Sequence, residues 1–134
     1  MDCLDYSPAQ LVPTGERLRI VIIEDNQDAA DSLRMLLELL GHEVRVAYSG
    51  PEGVRLAKEW APTVVLSDIG LPGLDGFGVA RALRHDEATA NAQLIAITAY
   101  SDEANRRRAE ESGFDHFLTK PMNSDTLQRL LSQN

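Results

Sequence analysis

Five short apolar runs alternate with stretches of helical periodicity along this chain from Leu18 onward. Each run is four to six residues long, and the third is apolar at consecutive positions, a pattern typical of strands buried on both faces. The runs are LRIVII (18–23), EVRVAY (43–48), TVVLSD (63–68), QLIAIT (93–98) and HFLT (116–119). The pattern therefore predicts five β-strands separated by helices.

The segments between the strands carry apolar residues on one helical face, together with signals that begin or end helices. In the first of these segments, Ala29 and Leu33 are followed by further leucines at helical spacing, and Gly41 is expected to follow the helix end. Ser49 has the character of an N-cap residue for the second. Helices are predicted over residues 29–40, 49–60 and 78–85, from 101 to 103 onward, and around 127–131.

Strict alternation of strands and helices with short connections predicts an α/β protein with a parallel sheet covered on both faces. Five such units favour a single doubly wound (βα)5 domain of the flavodoxin-like type, with strand order 2-1-3-4-5. We expect this domain to span residues 18–134. Residues 1–17 contain Pro8, Pro13 and Gly15 without a clear period, so we predict a flexible tail or linker there.

Charge and composition narrow the possible partners. The formal net charge is −8 over 134 residues, which disfavours direct binding of nucleic acid and favours a basic partner or a bound cation. One cysteine, Cys3, excludes an internal disulfide framework. No apolar stretch approaches the length of a membrane span, so we expect a cytoplasmic protein without direct membrane insertion.

Polar residues collect where the predicted strands end. Strand one ends in Glu24 and Asp25, strand three in Asp68, strand four in Thr98 and strand five in Lys120. In an open parallel sheet, ligands bind beyond these carboxyl ends, where the strand order reverses. We therefore expect these five side chains to form one site.

The two aspartates of neighbouring strands one and three make a case for a metal ion. At the spacing of adjacent strands, Asp25 and Asp68 would lie about 5 Å apart and repel each other by about 3 kcal/mol. A hard divalent cation such as Mg²⁺ would relieve that repulsion. With the Thr98 hydroxyl and the Lys120 ammonium nearby, the group has the chemistry of a phosphoryl-handling site, and Asp68 is the candidate nucleophile.

Four segments carry a resemblance to a known family: VIIEDN, VVLSDIGLPGLDGFG, LIAITAY and FLTKP. Together they resemble the receiver domain of two-component response regulators, over about residues 18–132. The stretch EDNQDAADSLRMLLELLGHEV is most similar to receivers associated with hybrid histidine kinases. The resemblance implies a phosphoacceptor signalling domain that catalyses only its own phosphotransfer and autodephosphorylation.

The resemblance also implies roles for the acidic residues. Asp68 would accept a phosphoryl group from the phosphohistidine of a histidine kinase or a histidine phosphotransfer domain. Asp25, Asp68 and the backbone carbonyl of Gly70 would bind Mg²⁺ or Mn²⁺ directly, and Glu24 would act on the metal mainly through water.

The remaining site residues would respond to the phosphoryl group. The resemblance implies that Thr98 and Lys120 bind it and that the Lys120–Pro121 peptide bond is cis. Phe117 stands at the position of a switch aromatic, which would turn inward as Thr98 moves. This movement would control an unidentified downstream effector or relay the phosphoryl group onward.

Two further positions of this family influence how long the phosphoryl group survives. Tyr100 and Gly70 lie two residues after Thr98 and Asp68, respectively, and flank the route for hydrolytic water. The hypothesis is that Tyr100 partly shields the acyl phosphate, while Gly70 leaves the other side open.

Three alternatives compete with this interpretation. A haloacid dehalogenase-type hydrolase would need a second aspartate where Gly70 stands. A nucleotide-binding module is disfavoured because Glu24 and Asp25 repel phosphate and because Gly76 and Gly78 lack the third glycine of the usual loop. A pseudo-receiver, which has the same fold but binds partner proteins without phosphorylation, is the serious rival. The sequence also leaves open whether the domain acts alone, in a phosphorelay or within a hybrid kinase.

Overall fold

The computed structural model describes residues 17–99, 102–120 and 124–132. These residues form five strands and five helices in strict alternation, as the apolar pattern predicts. The elements in chain order are β1 (Arg19–Ile23), α1 (Gln27–Leu39), β2 (Glu43–Ala47), α2 (Gly50–Trp60), β3 (Val64–Asp68), α3 (Gly76–Arg84), β4 (Gln93–Thr98), α4 (Glu103–Ser112), β5 (His116–Thr119) and α5 (Ser124–Leu131).

All five strands are parallel and lie in the order β2-β1-β3-β4-β5, which confirms the predicted doubly wound sheet. The order reverses between β1 and β3, so the ends of these two strands border the crevice where such folds bind ligands. In register, Ile23 of β1 lies beside Ser67 of β3, and Asp68 lies beside Ile97 of β4. The predicted site therefore lies at this reversal.

The sheet has an apolar core on each face. On one face, alternate strand residues such as Val21 and Val65 pack with buried side chains of α2 and α3. On the other, Ile22 and Leu66 pack with Leu37 of α1 and with leucines of α5. This two-sided burial explains why the central strands are almost continuously apolar in sequence.

Three helices begin two or three residues earlier than the sequence predicts: α1 at Gln27, α3 at Gly76 and α5 at Ser124. Helix α3 also ends at Arg84, whereas the sequence predicted residues 78–85. The reason for the early start of α3 is the Asp75 side chain, which accepts a hydrogen bond from the Gly78 amide and caps the helix earlier than the apolar pattern indicates. Ser49 caps α2 as expected, and Gly41 follows α1 in the left-handed region, with φ of 97°.

Two arginines enclose the only tryptophan of the sequence at the end of α2. The guanidinium carbons of Arg19 and Arg45 lie 4.7 and 4.4 Å from the centroid of the Trp60 ring. Arg19 also donates a hydrogen bond to the Trp60 carbonyl. Because Arg19 begins β1, this arrangement lies at the amino edge of the sheet, opposite the predicted site.

Helix α4 is held to the domain with little apolar contact. Of its ten residues, Ala109 and Ser112 are buried. Arginines supply further contacts: Arg108 lies over the Phe77 ring of α3 at 4.2 Å, and Arg106 lies over the Phe117 ring of β5 at 5.0 Å. Cation–π contacts thus connect α4 to elements on both sides.

None of the helices in the described ranges is both long enough and apolar enough to cross a membrane.

Candidate phosphoryl-accepting site

Three carboxylates meet at the carboxyl edge of β1 and β3. Glu24 and Asp25 directly follow β1, and Asp68 is the last residue of β3. One carboxylate oxygen from each lies within 4.8 Å of the others. Glu24 is buried, Asp68 is half-buried and Asp25 is exposed, so the cluster opens to solvent on the Asp25 side.

Lys120 joins this cluster from the far side of the sheet. Its Nζ donates to Glu24 Oε1 at 2.7 Å and to Asp68 Oδ2 at 3.1 Å. The Lys120 amide also donates to the Thr98 carbonyl at 2.7 Å, which fixes the backbone from which the side chain extends. Charge-assisted bonds of this length hold an ammonium group firmly, so Lys120 bridges the two acids.

The backbone around Glu24 is set by local hydrogen bonds. Glu24 Oε2 accepts from the Asn26 amide at 3.2 Å, and Asn26 in turn caps α1 by accepting from the Ala29 amide at 3.0 Å. Both Glu24 oxygens therefore have partners within the protein. Asp25 lies between these two fixed residues, at the entrance of the cluster.

The glycine-rich loop after β3 approaches Asp68 closely. The Gly70 amide donates to Asp68 Oδ1 at 2.9 Å, so both oxygens of this carboxylate accept hydrogen bonds. Gly76 begins α3 directly against the same backbone: a Cβ there would lie 2.5 Å from Ile69 Cα and 2.7 Å from the Asp68 carbonyl oxygen. Only glycine fits this approach, which explains one glycine of the loop.

Burial and pairing shift the titration of two groups. Burial raises the pKa of the Glu24 carboxyl above its ordinary value, although the hydrogen bond from Lys120 partly opposes this effect. Burial alone would lower the pKa of the Lys120 ammonium, but its hydrogen bonds to Glu24 and Asp68 raise the pKa overall. Lys120 therefore stays charged throughout the neutral range.

The donor set suits a hard divalent cation. Three carboxylates and one ammonium leave an excess of negative charge, and the carboxylates offer oxygen ligands, which Mg²⁺ prefers. The exposed position of Asp25 also leaves room for the waters that Mg²⁺ retains. The residues present therefore fit the ion that the sequence predicts.

Thr98 and Phe117 lie on the same face of the sheet. Thr98 ends β4 and is buried, and Phe117 of β5 pairs in register with Ala96, two residues before Thr98. Because side chains alternate along a strand, Ala96, Thr98 and Phe117 point to the same side. Phe117 is half-buried and packs against the apolar core of that face.

Not every predicted residue can be placed. Tyr100 and Pro121 lie outside the described residues, so the shielding of the site by Tyr100 and the cis peptide stay predictions. Gly70 is exposed, and a Cβ added there would meet one atom within 4 Å, Asp68 Oδ1 at 3.6 Å. The effect of Gly70 on the lifetime of the phosphoryl group stays a prediction.

Two contacts at the site were not expected from sequence. The sequence predicts that Lys120 lies near the acidic cluster, but not that its Nζ donates to Glu24 as well as to Asp68. The position of Arg106 over Phe117 joins residues of neighbouring elements through a long side chain, and the run of arginines at 106–108 was its only signal.

Comparisons with known proteins agree with this fold. The family model described as "Response regulator receiver domain" matches residues 20–132. PilH of Pseudomonas aeruginosa is 36% identical over 114 residues, which cover 85% of this chain and 94% of PilH. The sensor histidine kinase AtsR of Burkholderia thailandensis is 30% identical over 96% of this chain but only 22% of its own length.

A solved structure gives the same result. The receiver domain of the sensor histidine kinase PA1611 from Pseudomonas aeruginosa, with a magnesium ion coordinated in its active site cleft, is 30% identical. The match has a TM-score of 0.81 and covers 88% of this chain and 97% of the other.

The parallel sheet with acids and a lysine at its reversal point thus defines a phosphoacceptor signalling module. The chain belongs to the response regulator receiver domain family. Its function is two-component signalling, in which receivers pair with histidine kinases and with effectors.

Proposed function

We propose that Asp68 is the residue that accepts the phosphoryl group, in a Mg²⁺-dependent reaction with the phosphohistidine of a histidine kinase or histidine phosphotransfer domain. The observation that supports this most is the Lys120 ammonium, bonded to both Asp68 and Glu24 at the edge of the acidic cluster. This arrangement brings a nucleophilic carboxylate and a cation for phosphoryl oxygens into direct contact.

In this proposal the carboxylates divide the work. Asp25, Asp68 and the Gly70 carbonyl would hold Mg²⁺ directly, and Glu24 would act through water while it orients Lys120. A bound Mg²⁺ would supply positive charge to the phosphoryl oxygens during transfer. The buried position of Glu24 and its bond to Lys120 support the indirect role.

In the transfer step, one bond to phosphorus forms and one breaks. An oxygen of Asp68 attacks phosphorus, the phosphorus–nitrogen bond to the donor imidazole breaks, and the electron pair stays on that imidazole nitrogen. Lys120 then pairs with a phosphoryl oxygen in place of its bond to Asp68, and the Thr98 hydroxyl donates to another. Hydrolysis of the acyl phosphate regenerates the Asp68 carboxylate.

The change in the contacts of Thr98 and Lys120 would alter the surface of the domain through a movement of Phe117. Movement of Thr98 toward the phosphoryl group vacates space on the face it shares with Phe117, and the ring turns inward. An effector that reads this surface would then distinguish the two forms of the domain. Tyr100 and Gly70 would set the lifetime of the acyl phosphate by controlling access of water.

We further propose that the receiver domain occupies residues 18–134, that residues 1–17 form a linker and that the domain acts in the cytoplasm. The match of the family model to residues 20–132 supports the domain boundaries. The net charge of −8 supports protein partners rather than direct contact with nucleic acid.

Incubation with acetyl phosphate and Mg²⁺, followed by intact-mass measurement, tests the proposal. Wild type should gain one phosphoryl group and Asp68→Asn none. Asp86→Asn is a matched control, since the same chemical change falls just after α3 at the opposite edge of the sheet and Asn can still accept the Ala88 amide. Equal gain by Asp68→Asn would refute the assignment. No gain by wild type would favour a pseudo-receiver.

A further inference from the structure

The side chain of Arg106 covers the ring of Phe117. Its guanidinium carbon lies 5.0 Å from the ring centroid, within the range of a cation–π contact. Both residues also line a surface cavity of about 260 Å³ between α4 and α5. The Phe117 residue therefore borders this cavity, and Arg106 contacts its ring there.

The strand neighbour of Phe117 on β4 is a small residue. Phe117 is paired in register with Ala96, which is fully buried and whose side chain is a single methyl group. Thr98 lies one pleat further along β4 on the same face. Phe117 thus packs on the core face that Thr98 shares, and its ring also contacts an arginine of α4.

The contact between Arg106 and Phe117 occurs together with one particular hydrogen-bond arrangement at Asp68. In this arrangement both Asp68 oxygens accept hydrogen bonds, one from Gly70 and one from Lys120. Phosphorylation would place phosphorus on one of those oxygens and break the arrangement. A contact that stabilises the present position of Phe117, and that is lost when the ring turns inward, opposes the phosphorylated form by the free energy of that contact.

We propose that Arg106 is a positioning residue of the switch: it holds the Phe117 ring at the surface and restrains the change that accompanies phosphorylation of Asp68. This inference rests on the proposed function, because it assigns a control to the same switch. Helix α4 is suited to such a role, since few of its side chains are buried and its arginines provide much of its side-chain contact with neighbouring elements.

The neighbouring arginines provide matched controls within one helical turn. Arg107 is exposed and has no ion pair or ring contact among the described residues, so Arg107→Gln removes the same charge without touching a ring. Arg108 covers Phe77, which is buried in the core of α3. Arg108→Gln therefore removes a cation–π contact of α4 at a ring to which the proposed switch assigns no role.

The experiment compares the rate at which acetyl phosphate and Mg²⁺ phosphorylate wild type and these variants. Arg106→Gln should react roughly two- to fivefold faster, the factor that corresponds to a cation–π contact of about 0.5–1 kcal/mol. Arg107→Gln should react at the wild-type rate. Arg108→Gln should lower the urea midpoint but leave the rate unchanged. Arg106→Lys, which keeps a cation over the ring, should fall between wild type and Arg106→Gln.

A second measurement follows the ring itself. Fluorine-labelled phenylalanine gives three signals, and Phe117→Leu identifies the one of interest. Without phosphodonor, the Phe117 signal should shift in Arg106→Gln toward its position in phosphorylated wild type, and it should not shift in Arg107→Gln. A rate in Arg106→Gln equal to or below that of Arg107→Gln, or an equal ring signal in the two variants, would overturn the proposal.

The two proposals fail in different ways. If wild type takes up no phosphoryl group, or if Asp68→Asn takes up as much, the assignment of Asp68 is wrong. The ring signals of the unphosphorylated variants still decide whether Arg106 holds Phe117, because an unchanged signal then refutes the restraint and a shift specific to Arg106→Gln supports it.

Discussion

Gly76 lies at the point where α3 begins against the backbone that carries Asp68, and replacing it with alanine should destabilise the domain. The added Cβ would approach Ile69 Cα to 2.5 Å and the Asp68 carbonyl oxygen to 2.7 Å. Ordinary contacts of a Cβ begin at 3.4 Å, so the helix and the strand would have to separate by about 0.9 Å. Neither contact atom belongs to a flexible side chain that could move aside.

The size of the effect follows from two opposing contributions. Overpacking of this kind costs typically about 1–3 kcal/mol. Alanine recovers about 0.4–1 kcal/mol because it restricts the unfolded chain more than glycine does. We therefore expect the free energy of unfolding of Gly76→Ala to fall by about 1–2 kcal/mol, which corresponds to a urea midpoint lower by roughly 0.5–1 M.

Gly70→Ala is the matched control for this experiment. Its Cβ would meet Asp68 Oδ1 at 3.6 Å, an ordinary contact, so its stability should stay within about 0.5 kcal/mol of wild type. Urea titration of the three proteins measures the difference. If Gly76→Ala unfolds at the same midpoint as Gly70→Ala, the close approach of α3 to Asp68 does not constrain the sequence and the reasoning is wrong.

Three further predictions concern pH, capping and metal. Burial lowers the pKa of His42 below its ordinary value near 6.5, and its Nδ1 accepts from the Leu18 amide at 3.1 Å. The unfolded chain therefore binds the proton of His42 more tightly, so the contribution of His42 to stability should fall as pH drops below about 6.5 and stay constant above it. In urea titrations from pH 7.5 to 5.5, His42→Asn, which keeps an acceptor, should lose less stability than wild type. An equal loss of stability in the two proteins would contradict this. Asp75→Ala should cost about 1 kcal/mol through loss of the α3 cap and Asp75→Asn little, as measured by thermal unfolding; equal losses would exclude capping as the cause. Adding Mg²⁺ should raise the melting temperature of wild type and of Asp86→Asn but less that of Asp25→Asn, and equal shifts would argue against Asp25 as a ligand.

The arrangement of strands was predictable because burial leaves a direct trace in the sequence. Central strands of a parallel sheet must be apolar on both faces, and Val64–Leu66 show this without interruption. The start of α3 was predicted two residues late for an equally physical reason. Asp75 was not recognised as the cap of this helix, and the structure needs Gly76 directly after it because only glycine fits against Ile69.

The site was predictable as far as topology alone determines it. Parallel strands bring Asp25, Asp68 and Lys120 to one edge whatever their rotamers are. The sequence could not tell which oxygens Lys120 would bond, because that depends on the conformations of the Lys120 and Glu24 side chains. The contact of Arg106 with Phe117 was hidden for the same reason, since a long flexible side chain can reach several neighbours.

Trp60 provides a built-in optical probe whose value comes from its distance from the chemistry. Its ring is enclosed by Arg19 and Arg45 at the amino edge of the sheet, while Asp68 lies at the carboxyl edge. Loss of the fold would free the indole from both guanidinium groups and alter its emission. Phosphoryl transfer at the opposite end would leave that emission unchanged, so fluorescence can record unfolding independently of signalling.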